Sequence, residues 1–185
     1  GTLFGEHLVL NRTIKTKLGA KEFEICDVVE NQSALPDEFM LLYHMNLGYP
    51  YLDEDAKIYI ESNSYQGMSE RAEERRALAG SFGKPVDGGG EDCYLYDPKT
   101  DAEGWVTVRV ENPKHGFGIR YRFKKETLPY LIEWRSCQST DYALGIEPSN
   151  SRIMGRKAER ENGTLKKIAP FEKVSHTVIF GVYEL

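Results

Sequence analysis

The chain has 185 residues, about one domain's worth, of which 40% are hydrophobic, 11% aromatic and 29% charged; that mix supplies a core and excludes a disordered chain. Its 24 Lys and Arg against 29 Asp and Glu leave a net charge of −5, which gives no field to draw in nucleic acid or an anionic membrane. No apolar run reaches the roughly 18 residues of a bilayer span.

Strand signals dominate the order of elements. Lys21–Val29 carries Phe23 and Ile25 among polar partners, and Glu38–Leu47 is apolar and aromatic. Met68–Ala79 is the one segment that reads as a helix, with Ser69 as its N-cap and Gly80 just past its end. The mixed charges of Arg71–Arg76 make it a solvated face. Gly88–Gly90 is a flexible turn feeding a strand at Asp92–Tyr96; with neither a Lys-Ser/Thr pair nor a helix after it, a phosphate loop is not indicated. Trp105–Val110 and Phe117–Phe123 alternate in period two and form a hairpin across Glu111–Gly116. Further strands are expected at Pro129–Arg135, Tyr142–Ile146 and Ser175–Val182. Many short strands separated by Gly, Pro, Asn and Asp turns predict an all-β, antiparallel β-sandwich in a single domain, 1–185.

Cys26, Cys93 and Cys137 are odd in number and widely spaced. Without a CxxC pair they read as reduced, buried thiols. No leader is visible, so the expected location is cytoplasmic. His7, His44, His115 and His176 lie at no ligand spacing, so no metal and no cofactor is expected.

Four segments could carry chemistry. In Tyr43-His44-Met45-Asn46-Leu47, His44 and Asn46 share a face with Leu42, opposite Tyr43, Met45 and Leu47. Such a pair is either satisfied core or the polar floor of a site. In Ala143-Leu144-Gly145-Ile146-Glu147-Pro148, Glu147 shares a face with two small residues, which leaves room beside its carboxylate or simply exposes it. Pro148 is expected to end that strand and hold Glu147 at its edge. Glu91 and Asp92 are carboxylates that could act near a His. In Glu133-Trp134-Arg135, Glu133 and Arg135 share a face and can pair, whereas Trp134 reads as core rather than as a sugar platform.

The His44 and Glu147 segments together resemble the aldose 1-epimerase (galactose mutarotase) superfamily. The surrounding residues, among them Phe4-Gly5-Glu6, Arg12, Asp27-Val28-Val29-Glu30-Asn31 and Trp134-Arg135, are closest to an uncharacterised epimerase-like bacterial branch. The resemblance implies a galactose-mutarotase-like supersandwich, with His44 as general acid and Glu147 as general base. It implies a small-molecule sugar as partner, bound by Asn46, Glu91, Asp92, Glu133 and Arg135. Glu91 falls where mutarotases carry Asp. Relative to that family the chain opens in mid-domain, so it is expected to lack an N-terminal part, and exposed edges would favour a homo-oligomer. The implied activity is interconversion of sugar anomers. The alternatives are a non-catalytic carbohydrate-binding protein of the same fold, or an epimerase for a phosphorylated sugar. The latter requires a basic cluster, for which Arg12, Arg135, Arg152 and Arg156 are the candidates.

Overall fold

A computed structural model describes residues 5–185. In chain order the elements are β1 Leu8–Lys15, β2 Glu22–Asn31, β3 Asp37–Phe39, β4 Met45–Gly48, β5 Lys57–Ile60, β6 Ser62–Gly67 and α1 Glu70–Glu74. They continue with β7 Glu91–Pro98, β8 Trp105–Asn112, β9 Phe117–Lys124, β10 Tyr130–Cys137, β11 Tyr142–Ser149, α2 Arg156–Glu161, β12 Lys166–Ile168 and β13 Lys173–Glu184. A six-stranded sheet has the order β1-β2-β13-β9-β8-β5, a five-stranded sheet the order β4-β11-β10-β7-β6, and β12 pairs with β3. All of these pairings are antiparallel, so the expected all-β sandwich is what forms.

The core follows from alternation. Val106, Val108 and Val110 of β8 and Ile119, Tyr121 and Phe123 of β9 turn inward from the six-stranded sheet. They belong to one apolar cluster with Tyr94, Tyr96, Leu131, Leu144, Ile146 and Leu47 from the other sheet. Each fully buried Leu or Ile contributes about 1.5–3 kcal/mol, which holds the five-stranded sheet against its partner and leaves its other face to carry polar groups.

Three expectations change. The predicted helix over Met68–Ala79 breaks into α1 and a 3-10 turn at Arg76–Leu78. Ser69 does cap α1, accepting from the Ala72 N–H at 3.1 Å. The break falls at Arg75, whose guanidinium reaches Asp92 and whose carbonyl accepts from the Tyr94 hydroxyl. The segment predicted as one strand over Glu38–Leu47 is two, because β3 pairs with β12 while β4 pairs with β11. Pro148 does not end β11, which runs on to Ser149. The strands β1, β5, β6 and β12 and the helix α2 were not legible: β1 is an edge strand with most residues exposed on both faces, so it shows no period-two pattern. Cys26, Cys93 and Cys137 are free thiols, half-buried rather than buried as expected, and no described helix is long and apolar enough to cross a membrane.

Candidate functional site

Register creates the site. Asn46 lies opposite Gly145, and Met45 opposite Ile146. Continuing that register, the Tyr43 N–H donates to the Pro148 carbonyl at 3.0 Å and Leu42 bridges Ser149. His44 therefore falls directly across from Glu147. The ladder is interrupted here because proline has no N–H to return, so His44 sits just ahead of β4 rather than within it. Residues directly opposite on antiparallel strands project to the same side about 5 Å apart. Two residues separated by about a hundred positions in sequence are thus delivered to one spot.

The His44 Nε2 lies 3.0 Å from Glu147 Oε1. Its Nδ1 lies 2.7 Å from Asn46 Oδ1; an amide oxygen only accepts, so Nδ1 carries a proton and Nε2 is the nitrogen turned to the carboxylate. The imidazole side chain is 48% exposed and that of Glu147 only 3%. Burial pushes the Glu147 carboxyl above the usual carboxylate range, and the positive charge of a protonated His44 pulls it back. Glu147 Oε1 has no well-aligned hydrogen-bond donor among the described residues, so the close approach is a charge contact more than a satisfied hydrogen bond. A desolvated carboxylate thus faces an imidazole that solvent reaches.

Gly145 makes the geometry possible. A Cβ at this position would stand 2.4 Å from Glu147 Oε1 and 3.2 Å from Asn46 Oδ1. The missing side chain lets the carboxylate fold back over the strand toward His44.

The same face extends onto β10 and β7. Trp134 lies opposite Gly145 on one side and Cys93 on the other. Its ring meets His44 edge-on with centroids 5.6 Å apart, and its Nε1–H donates to Glu91 Oε2 at 2.7 Å. Trp134 is therefore a half-buried wall of this face, which corrects its reading as core. Burial and the charges of Glu147, Glu91 and Asp92 push the Cys93 thiol up to about 11, so it stays protonated at neutral pH and is no nucleophile. Among the described residues no cluster of three or more His, Cys, Asp or Glu is placed to hold a metal ion.

Of the other expected sugar contacts, Asn46 and Glu91 share the face of His44, whereas Asp92, Glu133 and Arg135 do not. These three point into the sandwich, one residue out of phase with Trp134. Asp92 is fixed by Arg71 Nε at 3.0 Å and Arg75 Nε at 3.1 Å, which ties α1 to β7. Glu133 is fully buried, accepts from the Tyr96 hydroxyl at 2.6 Å, and has its carboxyl raised by desolvation. Arg135 does not pair with it; the guanidinium donates to the Leu78 carbonyl and stacks over Phe82 at 5.1 Å. Charged residues are rarely this buried without partners, and each here has a partner that the sequence pattern did not reveal. The candidate basic cluster does not assemble either: Arg12 pairs with Asp27, Arg156 with Glu6, and Arg135 is interior. Two other large aromatics lie away from this face or at its rim: Trp105 is on the six-stranded sheet under Arg122 and Lys124, and Tyr49 is exposed beyond the end of β4.

Comparison with known proteins fits this fold. A candidate aldose 1-epimerase from Klebsiella pneumoniae superposes with a TM-score of 0.95 at 22% identity, over 100% of this chain and 48% of its own. A galactose mutarotase-like protein from Clostridium acetobutylicum gives 0.65 at 18% identity, over 96% and 63%. An aldose epimerase homologue from C. elegans gives 0.67 at 10% identity, over 97% and 61%. The chain spans about half to two thirds of the length of these relatives. No curated protein matches it by sequence. The family model described as a domain of unknown function (DUF4432) matches residues 1–182. The chain belongs to that family, and its fold is that of the galactose mutarotase-like proteins.

Proposed function

We propose that this chain carries the acid–base centre of a carbohydrate epimerase that interconverts the anomers of a reducing sugar. The observation that carries the reading is the contact between His44 and Glu147, a half-exposed imidazole against a desolvated carboxylate, across paired strands. Anomer exchange needs two proton transfers and no redox step. Glu147, ionised, takes the proton of the hydroxyl on C1 while the Nε2 proton of cationic His44 moves to the ring oxygen. The C1–ring-oxygen bond breaks, C1 becomes a carbonyl, and the C1–C2 bond rotates. The open chain then closes on its other face with both protons returned. A positioned acid or base contributes about 10²–10⁴-fold each.

Each neighbouring residue has a part in this scheme. Asn46 holds the proton on Nδ1, which fixes the imidazole with Nε2 toward the reacting atoms. Desolvation strengthens Glu147 as a base once it is ionised, and the charge of a protonated His44 favours that ionised form. Substrate enters by separating the pair, so that each group exchanges its partner for a sugar oxygen. Trp134 offers a ring face beside His44 to the apolar face of a pyranose. Glu91 orients the indole and presents its remaining oxygen to a sugar hydroxyl.

The test is the rate of anomer exchange by saturation-transfer NMR across a panel of aldoses, against the spontaneous and buffer-catalysed background. The parent protein accelerates exchange of at least one sugar, and Glu147→Gln returns it to background. Saturable sugar binding by the parent without acceleration would replace this reading with that of a carbohydrate-binding protein.

A further inference from the structure

One depression on the His44–Glu147 face takes no part in the chemistry above. It has a volume of about 280 Å³ and is bordered by Ser64, Gln66, Leu95, Asp97, Tyr130 and Arg152. The pairings of Tyr130 with Ser149 and Ile132 with Glu147 put Tyr130 on the same side of the sheet as the catalytic carboxylate. Gln66 opposite Leu95, and Leu95 opposite Ile132, bring those side chains to the same side. Tyr130 is one strand over from Glu147 and two residues along, about 7 Å in the strand direction. A substituent at the far end of a pyranose bound at His44 and Glu147 reaches this distance.

The charges in the depression are unbalanced. Among the described residues every other arginine has an acceptor: nine pair with carboxylates, and Arg135 uses the Leu78 carbonyl. The Arg152 guanidinium has neither. Its Nε is closed off from solvent with no acceptor, and its guanidinium carbon lies 5.7 Å from the centre of the Tyr130 ring. The backbone is anchored independently, by the Arg152 N–H donating to the buried Glu159 at 3.2 Å. The carboxylate that borders the depression, Asp97, is occupied by Lys125 at 2.5 Å and by the Asn63 amide at 2.9 Å. What remains is a cation laid on the Tyr130 ring, its Nε shielded and its terminal nitrogens without an acceptor among the described residues, flanked by an amide and a hydroxyl.

The geometry points to an anion subsite: Arg152 receives a carboxylate or phosphate carried by the sugar at a position remote from C1. The substrate class is then an acidic hexopyranose, either a uronic acid or a sugar phosphate, rather than a neutral aldose. This rests on the proposed function for the place of the sugar, and goes beyond it in naming what the sugar carries.

The experiment measures binding, so that it is independent of turnover. Calorimetric titrations of glucose, glucuronate and glucose 6-phosphate are compared for the parent, Arg152→Gln, Arg152→Lys and Gln66→Ala. The parent binds at least one of the acidic sugars about tenfold or more tightly than glucose, as expected for a charge-assisted contact. Arg152→Gln abolishes that preference, Arg152→Lys keeps part of it, and Gln66→Ala weakens it. Whichever acidic sugar binds more tightly identifies the group. Equal affinity for glucose and both acidic sugars overturns the inference, and so does a preference that survives in folded Arg152→Gln. An Arg152-dependent preference in a protein that accelerates no anomer exchange would sink the catalytic reading and leave the anion subsite standing.

Discussion

Replacing Gly145 by alanine tests whether the strand was built around the Glu147 carboxylate. The added methyl carbon would lie 2.4 Å from Glu147 Oε1, where ordinary contact begins at 3.4 Å. The obstacle is the end of a side chain and not backbone, so the carboxylate retreats while β11 stays in register. The required shift is about 1 Å, and a misplacement of that size costs on the order of 10²-fold in rate, or about 2.7 kcal/mol of barrier. Stability moves little, because alanine in a strand interior is better than glycine by roughly 0.5–1 kcal/mol, which offsets the disturbed contact with His44. Melting temperature, anomer-exchange NMR and a structure of the variant together decide the matter. The expected result is a protein that melts near the parent, exchanges about a hundredfold more slowly, and has Glu147 turned away from His44. A folded variant that exchanges at the parental rate, or one whose carboxylate has not moved, would refute the reasoning.

Other perturbations have equally definite outcomes. The raised carboxyl of Glu133 means that the unfolded chain loses this proton first, so its contribution to stability is present at low pH and falls as pH rises above about 4.3. Glu133→Gln should therefore gain in melting temperature relative to the parent as pH increases from 4 toward 8; a difference constant across that range would contradict the assignment. Asp27 is the opposite case. Burial would raise its carboxyl, but the Arg12 fork and the Tyr43 hydroxyl hold it below the usual range, so its contribution is lost only as pH falls below about 3.9. Arg12→Ala leaves that buried carboxylate short of partners and should cost about 2–3 kcal/mol in urea unfolding; an unchanged midpoint would show that solvent replaces the guanidinium. Because Trp134 touches His44, sugar binding should alter the tryptophan emission of the parent and not that of Trp134→Phe. A response that persists in Trp134→Phe would place the sugar near Trp105 instead.

The parts of the fold that were legible are those where one face meets the core and the other meets water. The alternation Val106, Val108, Val110 and the inward set Ile119, Tyr121, Phe123 were plain, and both strands lie where the pattern put them. That His44 and Asn46 project to one side of their strand was also readable from period two. That His44 faces Glu147 was not, because strand register is a tertiary property and no local signal states it. The same limit explains Trp134 and its neighbours. Parity alone said that Trp134 opposes Glu133 and Arg135, but not which of the two sets faces the core. The usual rule puts the tryptophan inside and the charges outside. Here the charges are inside, because Tyr96 hydrogen-bonds to Glu133 and the Leu78 carbonyl accepts from Arg135. Asp92 is similar: Arg71 and Arg75 read as a solvated helix face, yet both turn to this buried carboxylate.

The central claim is that His44 and Glu147 work as one unit on the two oxygens of a hemiacetal. Groups that act together in a single step lose activity non-additively when removed. The most direct measurement is therefore the anomer-exchange rate of His44→Gln, Glu147→Gln and the double variant, each corrected for the uncatalysed reaction. The account predicts that either single replacement abolishes the acceleration and that the double variant is no slower than the singles. Parental exchange in either single variant, or two partial losses that multiply in the double, would contradict it.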